Sequence, residues 1–455
     1  MDLLAKKGIG LQSFAVMQVV KLLCRITKYA WFDEGSSATI RKIVEDSTQF
    51  LEATIHHCSI GLCILNELVA EMNVKNRNRT LTQQRKVSVS FRDICLGPIP
   101  TVTTTSRHVN VFETALSMLN QIATRQIKLD GMAPLDAAKM HNSLLMDSLK
   151  LLSATLNYDF IGTNPDDSTE DVCTLHVPAT WAKNIQSGSL LRLLFNIYKG
   201  CTTGRIHVIP DAAPPSILAT VSPEAKAAMA AQPMHDFPMN AERGAQTLEV
   251  ISSLISVRRS IFASETDRKR FLGHILRGVV EIERDASTLP RGWDSACFHE
   301  FCKLLARLKN NFQLMDLVRS EGYSEWVKLT AQFTIHACNP SSGSNNNNLH
   351  YLLSLWSKLV ASVPFAKLDA SSSSSSSASA SAAAGSGGSS ALAGAFGGMG
   401  MVGGGAAAHR GAAAAAAPLA LQSTRPRWMS CCRRLCPRCW QRTLVGGWRP
   451  LAPRA

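Results

Sequence analysis

The segment HEFCKLLARLKNNFQL, residues 299–314, gives the clearest folding signal in the 455-residue chain. Its first residues look like half of a zinc site, but the His-Glu-x-x-His signature needs a second ligand where this sequence has Lys303. Its apolar residues instead form one stripe with the 3.6-residue period of an α-helix: Phe301, Leu304, Leu305, Leu308 and Phe312. The segment therefore predicts a helix that packs and binds no metal.

The same helical stripe recurs from the N-terminal region to residue 359. Strand signals are rare, and VSVSF at 87–91 is the one fair candidate. The other stripes are Val19, Leu22, Leu23 and Ile26; Leu65, Leu68, Val69 and Met72; Phe112, Ala115, Leu116 and Leu119; Leu145, Leu149, Leu152 and Leu156; Val250, Leu254, Val257 and Ile261; Leu272, Ile275, Leu276 and Val279; and Leu352, Leu355, Trp356 and Leu359.

These stripes predict an all-α fold, an α-solenoid of HEAT-like helical repeats. Each proposed unit is a helix pair of HEAT or armadillo size, although no repeat consensus recurs at fixed offsets. Stacked neighbours would cover the apolar stripes. The predicted pairs are 36–53 with 57–73, 111–127 with 137–157, 265–285 with 295–309, and 311–337 with 347–362.

Composition divides the chain into five parts. The predicted divisions are HEAT-like repeats at 1–200 and 246–368, a Pro/Ala-rich insert at 201–245 that is disordered, a Ser/Ala/Gly tract at 369–424 that is also disordered, and a basic Cys/Trp-rich tail at 425–455. The acidic NPDDSTED segment, 164–171, is interpreted as a solvated loop, because it lacks the glycine and terminal glutamate of a calcium loop. The uncharged stretch 391–408 is mostly Gly and Ala, which favours a flexible tract over a membrane span.

Charge and cysteine use narrow the class of protein. The formal net charge of +14 is misleading, because residues 370–455 contain nine arginines and no acids, which leaves 39 basic against 34 acidic residues before them. Charge alone thus gives no argument for nucleic acid at the folded part. No signal peptide is visible, residues 1–24 look like an amphipathic helix, and the scattered cysteines are typical of a reducing compartment. A cytosolic or nuclear protein is expected.

The remaining candidate sites have structural alternatives. His56, His57 and Cys58 are adjacent, so on a helix they point in different directions and cannot close on one ion. Arg258 and Arg259 could pair with an acidic partner or form a helix-end salt bridge with the acids that follow. In the tail, the thiols of Cys431, Cys432, Cys436 and Cys439 lack the ligand spacing of structural zinc. The tail could contact RNA, be disordered or come from a mispredicted reading frame. No nucleophile–base pair or phosphate loop is present, so we predict no catalytic residue, cofactor or metal.

Six segments of the chain form one recognisable set: RITKYAWFDEG (25–35), SFRD (90–93), DFIGTNPDDSTEDVCTLHVPATW (159–181), SVRRSIF (256–262), HEFCKLLARLKNNFQL (299–314) and HYLLSLWSKLVASVPF (350–365). In their order, and in their spacing apart from the insert at 201–245, they resemble the exportin-7 family within the importin-β superfamily of nuclear transport receptors. The N-terminal repeats with which this family binds Ran have no counterpart before Phe14, and the resemblance ends after Phe365. It therefore implies a version of the family's fold that is incomplete at both ends.

The resemblance implies a superhelix of HEAT repeats that acts as a nuclear export receptor. Such a receptor binds the small GTPase Ran in its GTP form together with protein cargo. It crosses the nuclear pore by contacting phenylalanine-glycine repeats, and it shuttles between nucleus and cytoplasm. It has no active site, and neither membrane nor DNA is among the implied partners. No binding residue can be transferred by a matched motif. The alternatives are a generic α-solenoid scaffold for protein–protein interaction, or RNA association through the Arg-rich tail.

Overall fold

A computed structural model describes ten parts of the chain, and residues Met1–Ala366 form one compact unit. The described residues are 1–32, 42–74, 80–96, 110–124, 127, 132–160, 174–206, 235–290, 296–338 and 346–363. The predicted acidic loop at 164–171, the Ser/Ala/Gly tract at 369–424, the stretch 391–408 and the tail at 425–455 lie outside them.

Within the described residues the structure has fifteen α-helices and one short β-ribbon. The helices are α1 Asp2–Lys7, α2 Ser13–Tyr29, α3 Ile43–Glu52, α4 Ile55–Asn73, α5 Leu81–Phe91, α6 Val111–Ala123, α7 Pro134–Leu156, α8 Ala182–Gln186, α9 Ser189–Thr203, α10 Ala241–Ile255, α11 Glu265–Arg284, α12 Ala296–Asn311, α13 Leu314–Val318, α14 Tyr323–Ala337 and α15 Asn346–Ser362. The ribbon pairs β1, Arg205–Ile206, with β2, His235–Asp236, in antiparallel register.

Local capping chemistry sets where several helices begin. The side chains of Thr54, Asn110 and Asn240 accept backbone N–H groups of the first turns of α4, α6 and α10. Ser264 accepts the N–H of Asp267 at 3.1 Å at the start of α11. Each cap satisfies a donor that has no partner inside the helix. Pro134 opens α7 at a position where its missing N–H costs nothing.

The helices stack in two layers, as a solenoid of HEAT-like units requires. In one layer α2, α4, α7, α10, α12 and α15 pack in sequence, each on the next. In the other layer α6, α9, α11 and α14 do the same. Helix pairs α6–α7, α9–α10 and α14–α15 connect the layers, and α3 packs on α4. The predicted all-α solenoid class is confirmed. Three of the four predicted pairs are packed helix pairs, α3–α4, α6–α7 and α14–α15, although the predicted helix 311–337 is divided into α13 and α14. The fourth predicted pair is wrong as a pair, because α11 and α12 are both present but lie in different layers.

The pair α9–α10 was not among the predicted pairs, and it changes the interpretation of the segment 201–245. Residues at both flanks of that segment belong to α9, β1, β2 and α10, whereas 207–234 lie outside the described residues. The two helices on either side pack against each other. The described residues on both sides of 207–234 thus belong to one helix pair.

The structure corrects three local predictions. VSVSF at 87–91 is helical, since it forms the second half of α5, whose first turn is capped by Thr80. The apolar stretch at residues 1–24 is two α-helices joined by a 3-10 turn at Gly8–Gly10. In α2 the predicted stripe is largely on the wrong face, because Leu22 and Ile26 are 60% and 52% exposed. The buried face of α2 consists of Val20, Cys24, Thr27 and Lys28.

The predicted packing helix at 299–314 is confirmed by α12 up to Asn311, and Phe312 follows directly after the helix. All five residues of its stripe are buried, four of them completely. On the opposite face Lys303 forms an ion pair with Glu300, at 3.4 Å between Nζ and Oε2. Burying that stripe against α10 and α15 supplies the main driving force for the position of α12.

Candidate protein-binding surfaces

A groove lies among helices α2, α4 and α7. Its volume is about 620 Å³, which lies within the range of ligand and peptide sites. Its apolar lining includes Met17, Ile60, Cys63 and Met140. We call it the α4 groove, because α4 contributes more of its lining residues than α2 or α7.

Charged groups of α4 and α7 also line the groove. Glu67 of α4 and Asp147 of α7 contribute carboxylates, and Lys150 contributes a cation. Burial raises the pKa of Asp147, whereas Lys150 and a hydrogen bond from Ser143 oppose that rise. A lining that combines apolar residues with a few charged groups is typical of a recognition surface.

The described cysteines are not arranged for nucleophilic chemistry. Burial raises the pKa of Cys58 and Cys63 to about 11 and that of Cys95 to about 12. A raised pKa keeps the thiol protonated at neutral pH, and the protonated form is a poor nucleophile. Cys58 and Cys95 therefore behave as small core side chains, whereas the half-buried Cys63 is part of the groove lining.

The histidines singled out in the sequence have structural contacts. In α4, Nδ1 of His57 lies 2.8 Å from Oγ1 of Thr54, and Nε2 lies 3.0 Å from the carbonyl oxygen of Ala5. In α12, Nδ1 of His299 lies 2.9 Å from Oδ1 of Asn348. Within the described ranges, no three His, Cys, Asp or Glu side chains are grouped as metal ligands. Across the same ranges, no helix is both long and apolar enough to span a bilayer.

The two adjacent arginines have different surroundings. Nη2 of Arg259 lies 2.6 Å from Oε2 of Glu265, so the helix-end salt bridge is present for this residue. Arg258 is exposed, and its Nη1 lies 3.4 Å from Nδ1 of His176. Sequence reasoning identified the pair of arginines, but only the three-dimensional contacts distinguish the two.

The fold and these surfaces define the chain as a HEAT-like α-solenoid, a class in which stacked helix pairs present extended binding surfaces. Known proteins of related sequence then identify the family. No protein-family model matches the chain. Exportin-7-A of Xenopus laevis is 33% identical over 359 residues, which are 78% of this chain and 27% of that protein. Ran-binding protein 17 of Homo sapiens is 32% identical over 358 residues, again 78% of this chain and 27% of that protein.

A third relative agrees with the first two. Ran-binding protein 16 of Drosophila melanogaster is 30% identical over 362 residues, 79% of this chain and 28% of that protein. The resemblance to the exportin-7 family that six sequence segments predict is therefore confirmed over more than three quarters of the chain. The chain spans about a quarter of the length of these relatives.

Proposed function

We propose that this chain acts in nuclear export, as a transport receptor that holds protein cargo and responds to Ran in its GTP form. The observation that carries the proposal is the 33% identity with Exportin-7-A over 359 residues, on a fold of stacked helix pairs. The names of Ran-binding proteins 16 and 17 state that those relatives bind Ran. The proposal extends that property to this chain.

The proposed mechanism is coupled binding without catalysis. Partners that bind different surfaces of one solenoid influence each other's affinity by a coupling free energy, typically 1–3 kcal/mol in proteins. In this proposal Ran-GTP raises the affinity of the chain for cargo. Hydrolysis of the GTP to GDP then releases Ran and the cargo. Contacts with phenylalanine-glycine repeats would carry the complex through the pore, so the protein would be found in nucleus and cytoplasm.

The experiment compares the two nucleotide states of Ran. Immobilised 455-residue chain is incubated with Ran loaded with a non-hydrolysable GTP analogue or with GDP, and Exportin-7-A serves as the positive control. We expect binding at least tenfold stronger in the GTP state. Equal binding of both states, or none where Exportin-7-A binds, contradicts the proposed Ran response. A second assay uses immobilised phenylalanine-glycine repeats, and a generic scaffold would capture neither these repeats nor Ran selectively.

A further inference from the structure

A small polar pocket lies where the segment 174–181 meets the end of α10. A parallel bridge joins the two segments: the N–H of Leu175 donates to the oxygen of Ser256 at 2.8 Å, and the N–H of Arg258 donates to the oxygen of Leu175 at 2.9 Å. The pocket volume is about 110 Å³, room for a few water molecules or one carboxylate group. We call it the Arg258 pocket; it is lined by His176, Val177, Ala179, Arg258, Ser260 and Ile261.

Arg258 gives the pocket a positive charge that no carboxylate of the described residues balances. The lining contains no acidic residue. Glu265, the acid that follows closely in sequence, is taken by Arg259 at 2.6 Å and by Arg268 at 3.3 Å. The guanidinium of Arg258 contacts a neutral acceptor instead, the Nδ1 atom of His176.

His176 supplies a second donor to the pocket. Because Arg258 donates to Nδ1, the neutral ring carries its proton on Nε2. Burial and the charge of Arg258 both lower the pKa of His176, so the ring is neutral at physiological pH. The pocket thus combines one full positive charge, one imidazole N–H and the hydroxyl of Ser260.

We propose that the Arg258 pocket is a recognition site for one carboxylate side chain, aspartate or glutamate, of a bound protein. A guanidinium matches a carboxylate in shape and can donate two parallel hydrogen bonds to it. The charges match one to one, whereas a phosphate monoester carries about −1.5 to −2 and would call for a second cation. The inference rests on the proposed function in one respect, namely that the chain binds a protein.

The experiment observes His176 directly. The 455-residue chain is labelled with ¹³C in its histidine rings, and the His176 signal is identified by its loss in His176→Gln. A capped Gly/Ser hexapeptide with a single glutamate is titrated in, and the same peptide with glutamine is the control. We expect a saturable shift and a raised pKa of His176 with the glutamate peptide, because a nearby anion favours the imidazolium.

The chain offers a matched pair of variants. Arg258→Gln should weaken binding of the glutamate peptide at least tenfold, whereas Arg259→Gln, which removes an arginine already paired with Glu265, should change it less than twofold. Equal loss in both variants, or equal shifts with the glutamine peptide, overturns the proposal. The absence of any shift of the His176 signal also overturns the proposal, if the labelled protein is at millimolar concentration and the glutamate peptide is in 20-fold excess. Inorganic phosphate binding more tightly than the glutamate peptide overturns the assignment to a carboxylate.

The outcome is separable from that of the proposed function. If the chain binds the glutamate peptide through Arg258 but does not distinguish the two states of Ran, the transport proposal fails and the carboxylate site stands. If the chain prefers Ran-GTP but the His176 signal does not respond to the peptide, the carboxylate site fails and the transport proposal stands.

Discussion

The hydroxyl of Thr330 in α14 lies 2.8 Å from Oε1 of Glu283 in α11, deep in the contact between these helices. The hydroxyl of Thr334 donates to the backbone carbonyl oxygen of Thr330 at 2.8 Å, and Nε1 of Trp356 donates to the hydroxyl of Thr334 at 3.0 Å. Three helices, α11, α14 and α15, are thus connected by buried polar atoms. A buried polar group that loses its hydrogen bond costs free energy, so this series of hydrogen bonds fixes how α11, α14 and α15 stack.

Glu283 makes the stability of this region depend on pH. Burial raises the pKa of Glu283 to about 8, and the hydrogen bond from Thr330 only partly opposes it. The folded carboxyl therefore keeps its proton where the unfolded one has lost it. Stability should fall as pH rises from about 4.5 to about 8, by up to about 1.4 kcal/mol per pH unit. Glu283→Gln should remove this dependence on pH. The stability of the variant relative to the wild type should therefore increase as pH rises from about 4.5 to about 8.

Urea unfolding at pH 5, 6, 7, 8 and 9 measures this difference. Glu281→Gln is the matched control, because Glu281 lies on the same helix, is half-exposed and forms an ion pair with Lys199. The control should not gain stability as pH rises. A constant difference between Glu283→Gln and the wild type at all five pH values would contradict a raised pKa for Glu283.

Lys28 should be a large contributor to the N-terminal repeats. Its buried Nζ donates to the carbonyl oxygens of Glu71 at 2.5 Å and Val74 at 2.7 Å, at the end of α4. A cation there caps orphan carbonyls and interacts favourably with the helix dipole. We expect Lys28→Met to lower the free energy of unfolding by about 2–3 kcal/mol, because two carbonyls lose a charged donor.

Arg25 provides the control for Lys28. It lies one turn earlier on α2, and its side chain is 64% exposed with Nε 3.9 Å from Oε2 of Glu71. An exposed ion pair contributes about 0–1 kcal/mol, so Arg25→Met should be nearly neutral. Chemical denaturation of the two variants measures both free energies of unfolding. Similar losses of stability would mean that the buried hydrogen bonds of Lys28 contribute no more than an exposed ion pair.

The period of the apolar residues predicts most of the helices, but it does not always predict which face of a helix is buried. In α12 one stripe holds all the apolar residues, so the buried face was unambiguous. In α2 apolar residues occupy both faces, and only the contact with α4 determines that Val20 and Cys24 are buried and Leu22 and Ile26 are exposed. Tertiary packing likewise overrides the β-type alternation of VSVSF.

Buried polar contacts were beyond sequence reasoning for a related reason. Lys28 finds its partner 43 residues away, and Glu283 finds Thr330 47 residues away. No local pattern marks such pairs. The adjacent arginines at 258 and 259 were visible as a candidate, yet the difference between them depends on His176 and Glu265, which only the folded chain brings near.

Two glycines of α11 should respond in opposite directions to the same substitution. A Cβ at Gly278 would lie 2.3 Å from the ring of Phe195 in α9, so the Phe195 ring occupies the space that a side chain at position 278 would need. Gly278→Ala should therefore destabilise the protein by about 1–3 kcal/mol. At Gly273 a Cβ meets nothing within 4 Å, and Gly273→Ala should stabilise by up to about 1 kcal/mol through helix propensity. Thermal unfolding of both variants tests the pair, and destabilisation by Gly273→Ala would contradict it.

The exposed apolar face of α2 should matter for association and not for folding. Phe14, Leu22 and Ile26 are more than half exposed on this helix, although large apolar residues usually gain about 1.5–3 kcal/mol from burial. Replacing Leu22 and Ile26 together by glutamine, a good helix former, should change the free energy of unfolding by less than about 1 kcal/mol. The same replacement at the buried Val20 should cost several times more. Sedimentation velocity over a range of concentrations should show less self-association for the double variant than for the wild type, because exposed apolar surface promotes association. A double variant that unfolds as easily as Val20→Gln would mean that the exposed face is part of the core in solution.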